Sequence, residues 1–127
     1  MKQITEDYVS YEIAKLLKEK GFDEPCIGFY NPIDGCFFES CIRKSWDYNR
    51  HGSINAPTLQ MALKWLMEVH GLYVNLDLGL IDNEKGVIWS IVRCNNSCVE
   101  FLSEYTFEDT YEQAVEAAIK YCLENLI

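Results

Sequence analysis

Six cysteines and two histidines are the side chains of this chain best suited to chemistry near neutral pH. Cys36 and Cys41 are separated by four residues, and Cys94 and Cys98 by three, so the two pairs could hold zinc tetrahedrally as thiolates. Structural zinc sites use tighter spacing on a knuckle turn. Cys36 and Cys41 also fall within one short apolar run, where as strand residues they point to opposite faces. No metal and no other cofactor is expected. Cys122 sits at the middle of an apolar helical arc, as a small core residue would.

His51 and His70 are the available bases with an unperturbed pKa near neutrality. His70 falls in the last turn of an apolar helix, where an imidazole packs and faces the negative end of the helix dipole. His51 lies in a loop and is the better functional candidate, yet no Gly-x-Ser-x-Gly or His-Glu-x-x-His signature accompanies it. The seven glycines are scattered at turns and element ends, so there is no Gly-rich phosphate cradle. Catalytic residues are therefore not assigned. The binding candidates are Trp46, Tyr48, Arg50 and His51, which combine aromatic and cationic groups of the types that dominate binding hot spots. Trp46 and Tyr48 would serve equally as a lid folded over the core.

The elements that must position these residues follow from pattern and punctuation. Pro57 to Gly71 carries a start signal from Asn55 to Thr58 and a stop at Gly71. At about 100° per residue, Leu59, Ala62, Leu63, Trp65, Leu66, Met67, Val69 and His70 share an arc roughly 200° wide, which predicts a central helix covered on two sides. A first helix is expected from Thr5 to Lys20, capped by Thr5 or Asp7 and stopped by Gly21, with Val9, Ile13, Leu16 and Leu17 as its narrow apolar stripe. Cys26–Tyr30 and Cys36–Cys41 flank Asn31-Pro32-Ile33-Asp34-Gly35 and read as a β-hairpin. Residues 42–56 show neither helical nor strand period and read as one long loop.

After the central helix, Leu72, Val74, Leu76, Leu78 and Leu80 alternate with Tyr73, Asn75, Asp77 and Gly79 as in a half-buried strand. Asp82 to Gly86 turns the chain into a strand over 87–94, and Asn95-Asn96-Ser97 into another over 99–105. Thr110 to Gln113 is a capping box opening a last helix, with Tyr111, Ala114, Val115, Ala118, Ile119, Cys122 and Leu126 on its apolar face. The predicted fold is a single α+β domain spanning residues 1–127. Its order is α-β-β-α-β-β-β-α, an antiparallel hairpin and three-stranded meander with three helices. Strand order is left open, including a separate small sheet for the first hairpin.

Composition narrows the classes of function. Twenty acidic against eleven basic residues give a net charge of −9, which disfavours duplex nucleic acid as a partner. No apolar run approaches the ~18–20 residues of a membrane span. The first residues lack the apolar core of a secretory leader, so a cytoplasmic location with reduced thiols is expected.

Asp23-Glu24-Pro25-Cys26 with Gly28-Phe29-Tyr30-Asn31, then Ala56-Pro57-Thr58 through Trp65-Leu66 and His70, and the closing Tyr111-Glu112-Gln113-Ala114 to Ile127, resemble a group of small uncharacterised proteins of gut Bacteroidetes and their phages or prophages. The resemblance implies a bacterial or phage cytosolic protein and brings no catalytic residue with it. The loop over 42–56 lies outside the matching motifs. The expected function is a non-enzymatic binding or accessory module with a protein partner, and homo-oligomers are compatible with it. One alternative is a small enzyme that gathers His51, Arg50 and a cysteine. The other is an acidic nucleic-acid mimic, suggested by the charge.

Overall fold

A computed structural model describes residues 7–39 and 52–127. It is an α+β fold with antiparallel sheets and three α-helices among the described residues. Two compact units divide the chain between Ala62 and Leu63.

In the unit up to Ala62, helix α1 (Tyr11–Glu19) starts later than the sequence pattern predicts. Its cap is Ser10, whose Oγ accepts the Ile13 N–H at 3.4 Å. Residues before it are claimed by a distant segment: Val9 N–H donates to the Pro57 carbonyl at 3.0 Å, and Leu59 N–H to the Asp7 carbonyl at 2.9 Å. That pairing holds residues 7–9 extended, so the chain turns helical only once Ser10 has capped it. Ile13, Ala14 and Leu17 are buried, and Gly21, at φ +94°, ends the helix as expected.

The hairpin is present as β1 (Gly28–Tyr30) and β2 (Phe37–Glu39). A third strand, β3 (Ile54–Ala56), pairs with the other edge of β1 to give the order β2-β1-β3. The sequence pattern predicts a loop over 54–56. These residues are buried and ladder-paired, and a three-residue strand is too short to show a period. The hairpin thus belongs to a small sheet of its own, on which α1 packs through β3. Tyr8 and Tyr11, outside the apolar stripe of α1, sit against the hairpin instead: Tyr8 lies 4.8 Å from Phe37 and Tyr11 5.5 Å from Tyr30, ring centre to ring centre.

Helix α2 (Leu59–His70) is capped by Thr58, whose Oγ1 accepts the Met61 N–H at 3.2 Å, and ends at Gly71 with φ +67°. It buries Leu59, Ala62, Trp65 and Leu66, while Met67 and Val69 are exposed, Val69 by 58 %. The expectation of a helix covered on two sides is therefore corrected. Val69 lies between Trp65 and Ala62 around the axis, so its exposure comes from its place in the last turn, which a helical wheel does not show.

The unit from Leu63 contains a long ribbon of β4 (Leu72–Ile81) and β5 (Glu84–Asn95), paired from Leu72↔Arg93 to Ile81↔Glu84. Its turn is only Asp82-Asn83, both at positive φ (50° and 66°), the twist that matches a two-residue hairpin. The strand predicted over 99–105 ends at Phe101, and a further strand that the sequence pattern does not predict follows. Strands β6 (Cys98–Phe101) and β7 (Thr106–Glu108) lie end to end along the same edge of β5. Helix α3 (Tyr111–Tyr121), capped by Thr110 as expected, packs on β5, β7 and β4. A π-helical turn over Cys122–Leu126 follows and brings Leu123 into the core beside Cys122. Tyr111, expected on the buried face, is exposed at the first turn.

Candidate functional site

The predicted binding residues Trp46, Tyr48, Arg50 and His51 lie outside the described residues, as does Cys41. His70 is described, in the last turn of α2, with its ring edge-on to Trp65 at 4.6 Å. Its Nε2 is buried and has no hydrogen-bond partner among the described residues.

The remaining thiols are dispersed. Cys94 is opposite Val99 and Cys98 opposite Asn95, so the two cysteines project from opposite faces of the β5–β6 ribbon. Among the described residues no three His, Cys, Asp or Glu side chains come together as metal ligands would. Burial pushes the Cys26 thiol up to about 12, with the charge of Glu24 adding to it, and burial alone does the same for Cys122. The Cys26 Sγ donates to the Glu24 carbonyl at 3.4 Å, which it can do only as a thiol. Cys36 is exposed, and its hydrogen bond to the Asp34 side chain, with that carboxylate's charge, raises its pKa also. None of these three is disposed to act as a thiolate nucleophile near neutral pH.

Among the described residues, the break between β6 and β7 has a developed local construction. Leu102 continues the β6 register opposite Ile91, and its N–H donates to the Ile91 carbonyl at 2.8 Å. Thr106 is opposite Trp89. Ser103, Glu104 and Tyr105 therefore stand where a regular ladder would place one residue, opposite Ser90, and the chain bulges outward. Side chains repair the interruption. Ser103 Oγ accepts the Ile91 N–H at 2.8 Å, and the Tyr121 hydroxyl donates to the Leu102 carbonyl at 3.2 Å.

At the break is a hollow of about 680 Å³ lined by Trp89, Tyr121, residues 101–104 and Thr106. The two rings are 5.8 Å apart and tilted by 57°, a favourable aromatic arrangement. The Trp89 Nε1–H is buried without a hydrogen-bond partner among the described residues. Phe101 and Tyr105, exposed by 59 % and 66 %, stand 6.2 Å apart ring to ring at the same break. Aromatic surface and turned backbone groups favour binding. Glu104 is the only acidic or basic side chain among the described residues lining this hollow.

A smaller hollow of about 280 Å³ lies in the other unit among Tyr8, Pro25, Cys26, Ala56, Thr58 and Met61. Burial keeps its Cys26 thiol protonated near neutral pH.

Sequence reasoning missed the break because Val99 to Tyr105 reads as one apolar strand. The available signal was Ser103-Glu104, a polar pair interrupting that run. Trp89 and Tyr121 carried no such signal, since each sits in an otherwise regular element. No family model, curated protein or solved structure matches the chain.

Proposed function

We propose that the protein is a non-enzymatic binding or accessory module that works through a protein partner. The observation that carries the reading is the hollow at the β6–β7 break, lined by Trp89 and Tyr121 and accompanied by exposed Phe101 and Tyr105. Aromatic side chains already fixed by a scaffold gain contact area at little conformational cost, which is why they dominate hot spots. The high thiol pKa values at Cys26 and Cys122 favour binding over the alternative of a cysteine enzyme. Trp46, Tyr48, Arg50 and His51 remain proposed contributors from their own segment.

The net charge of −9 supports a partner other than duplex nucleic acid, and no described helix is long and apolar enough to cross a membrane. The proposed setting is the cytosol of a bacterium or phage-infected cell, as the resemblance in sequence implies.

Affinity capture with the full chain tests the reading, run beside a Phe101→Ser/Tyr105→Ser variant and a Trp46→Ala/Arg50→Ala variant. Both pairs of changes are expected to leave thermal unfolding cooperative, the first because its side chains are largely exposed. A specific partner retained by the wild type and lost by the first variant supports the hollow. Partner capture unchanged in both variants contradicts the assignment of these surfaces.

A further inference from the structure

Strand β4 has β5 on one side and no strand on the other among the described residues. Ten residues long, it contains no Lys, Arg or Pro and a single charge, Asp77. Natural edge strands of that length are usually protected by lysine, proline, a bulge or a covering element, because an unprotected edge templates pairing with another chain. Leu78 and Leu80 are exposed by 82 % and 67 % respectively. These two leucines share a face with Leu72, which is buried.

The orientation of the free backbone groups follows from the ladder. Ile91 directs its N–H to Ser103 and its carbonyl to Leu102, so the odd-numbered residues of β5 face β6 and β7. The even-numbered residues face β4, where they meet Tyr73, Asn75, Asp77, Gly79 and Ile81. The backbone of Leu72, Val74, Leu76, Leu78 and Leu80 is left facing outward.

We propose that β4 is a homodimer interface, pairing antiparallel with β4 of a second copy about a twofold axis at Leu76. In that register Leu76 faces its own copy, Val74 meets Leu78 and Leu72 meets Leu80. The most exposed leucines of one chain thereby extend the more buried end of the other, and one face becomes a continuous aliphatic row. On the opposite face Asn75 meets Asp77, an amide donor beside a carboxylate.

Two other registers are disfavoured. A twofold axis at Asp77 sets that carboxylate against its own copy, and a shift by one residue places aliphatic side chains opposite polar ones. An isologous interface requires such self-complementarity, and the register at Leu76 supplies it on both faces. The inference goes beyond the partner-binding function and stands or falls apart from it, since it uses a different edge of the ribbon.

Sedimentation of the full chain across the micromolar range tests the pairing. The wild type is expected to approach twice the 14.8 kDa chain mass. Leu78→Lys should be monomeric and still unfold cooperatively, because the side chain is exposed in the single chain. Asn75→Asp should weaken the dimer by roughly tenfold by setting two carboxylates in opposition, and adding Asp77→Asn should restore it. A wild type monomeric throughout overturns the proposal. So does a dimer indifferent to Leu78→Lys, and a failure of the second substitution to rescue the first overturns the register.

Discussion

The Tyr121 hydroxyl donates to the carbonyl oxygen of Leu102 at 3.2 Å, and through that bond the last turn of α3 holds open the break between β6 and β7. In an uninterrupted ladder the Leu102 carbonyl would accept the Ile91 N–H. Here that donor goes to Ser103 Oγ, and the carbonyl is free to meet the helix. A pair of side-chain bonds thus replaces one ladder bond, and Trp89 and Tyr121, in ring contact, both line the hollow beside the break.

Removing these bonds should have unequal effects. Tyr121→Phe loses a bond at a partly buried carbonyl and should cost about 0.5–1.5 kcal/mol. Ser103→Ala leaves the N–H of fully buried Ile91 without its acceptor and should cost about 1–3 kcal/mol. Because both bonds shape one bulge, the double variant should deviate from additivity. Urea unfolding of the four proteins measures this, and a Ser103→Ala variant as stable as the wild type would show that the bulge re-forms its ladder.

Gly79 and Gly86 face each other across the β4–β5 ribbon, and the Phe107 ring lies over both. A Cβ at Gly86 would run into that ring and approach the Glu108 carbonyl oxygen at 2.5 Å, an obstacle of backbone. At Gly79 it would meet chiefly the Ile88 side chain, at 2.8 Å, which can change rotamer. Gly86→Ala should therefore destabilise by about 1–3 kcal/mol or more, and Gly79→Ala by less. Thermal unfolding ranks the two, and the reverse order would refute the placement of Phe107.

The thiols should separate into reactive and silent sets. At pH 8 a thiol with a pKa near 12 is thiolate to only about one part in ten thousand, so Cys26 and Cys122 should resist alkylation in the folded chain while exposed Cys94 and Cys98 react. Peptide mass spectrometry after brief iodoacetamide treatment reads the pattern. The same shifts set a direction for stability. The folded-state pKa values stand above the ordinary value of 9.0, so this contribution is fully present below pH 9 and is lost as pH rises toward about 12. A denaturation midpoint that climbs over that interval would contradict the burial of both thiols.

Local chemistry was legible where it acts within a few residues. Thr110 caps α3 through the Gln113 N–H at 3.2 Å, Gly71 stops α2, and Asn96-Ser97 turns β5 into β6. Long-range pairing was not legible. Nothing near Asp7 announces that its carbonyl will take the Leu59 N–H, so the start of α1 was read too early. Strand β3 is too short for a period, and its identity comes from β1 beside it. The hollow escaped notice for the same reason: Trp89, Ser103 and Tyr121 are distant in sequence and meet only once β5 has paired with β6 and β7. Trp46, Tyr48, Arg50 and His51 stand on composition alone.

The most direct measurement of the binding function is amide hydrogen exchange on the full chain, alone and with its captured partner. Binding at the break predicts slowed exchange concentrated over Phe101 to Thr106, with the β1–β2 hairpin unchanged. Unaltered exchange over 101–106 in a saturated complex would contradict it and move the site elsewhere on the chain.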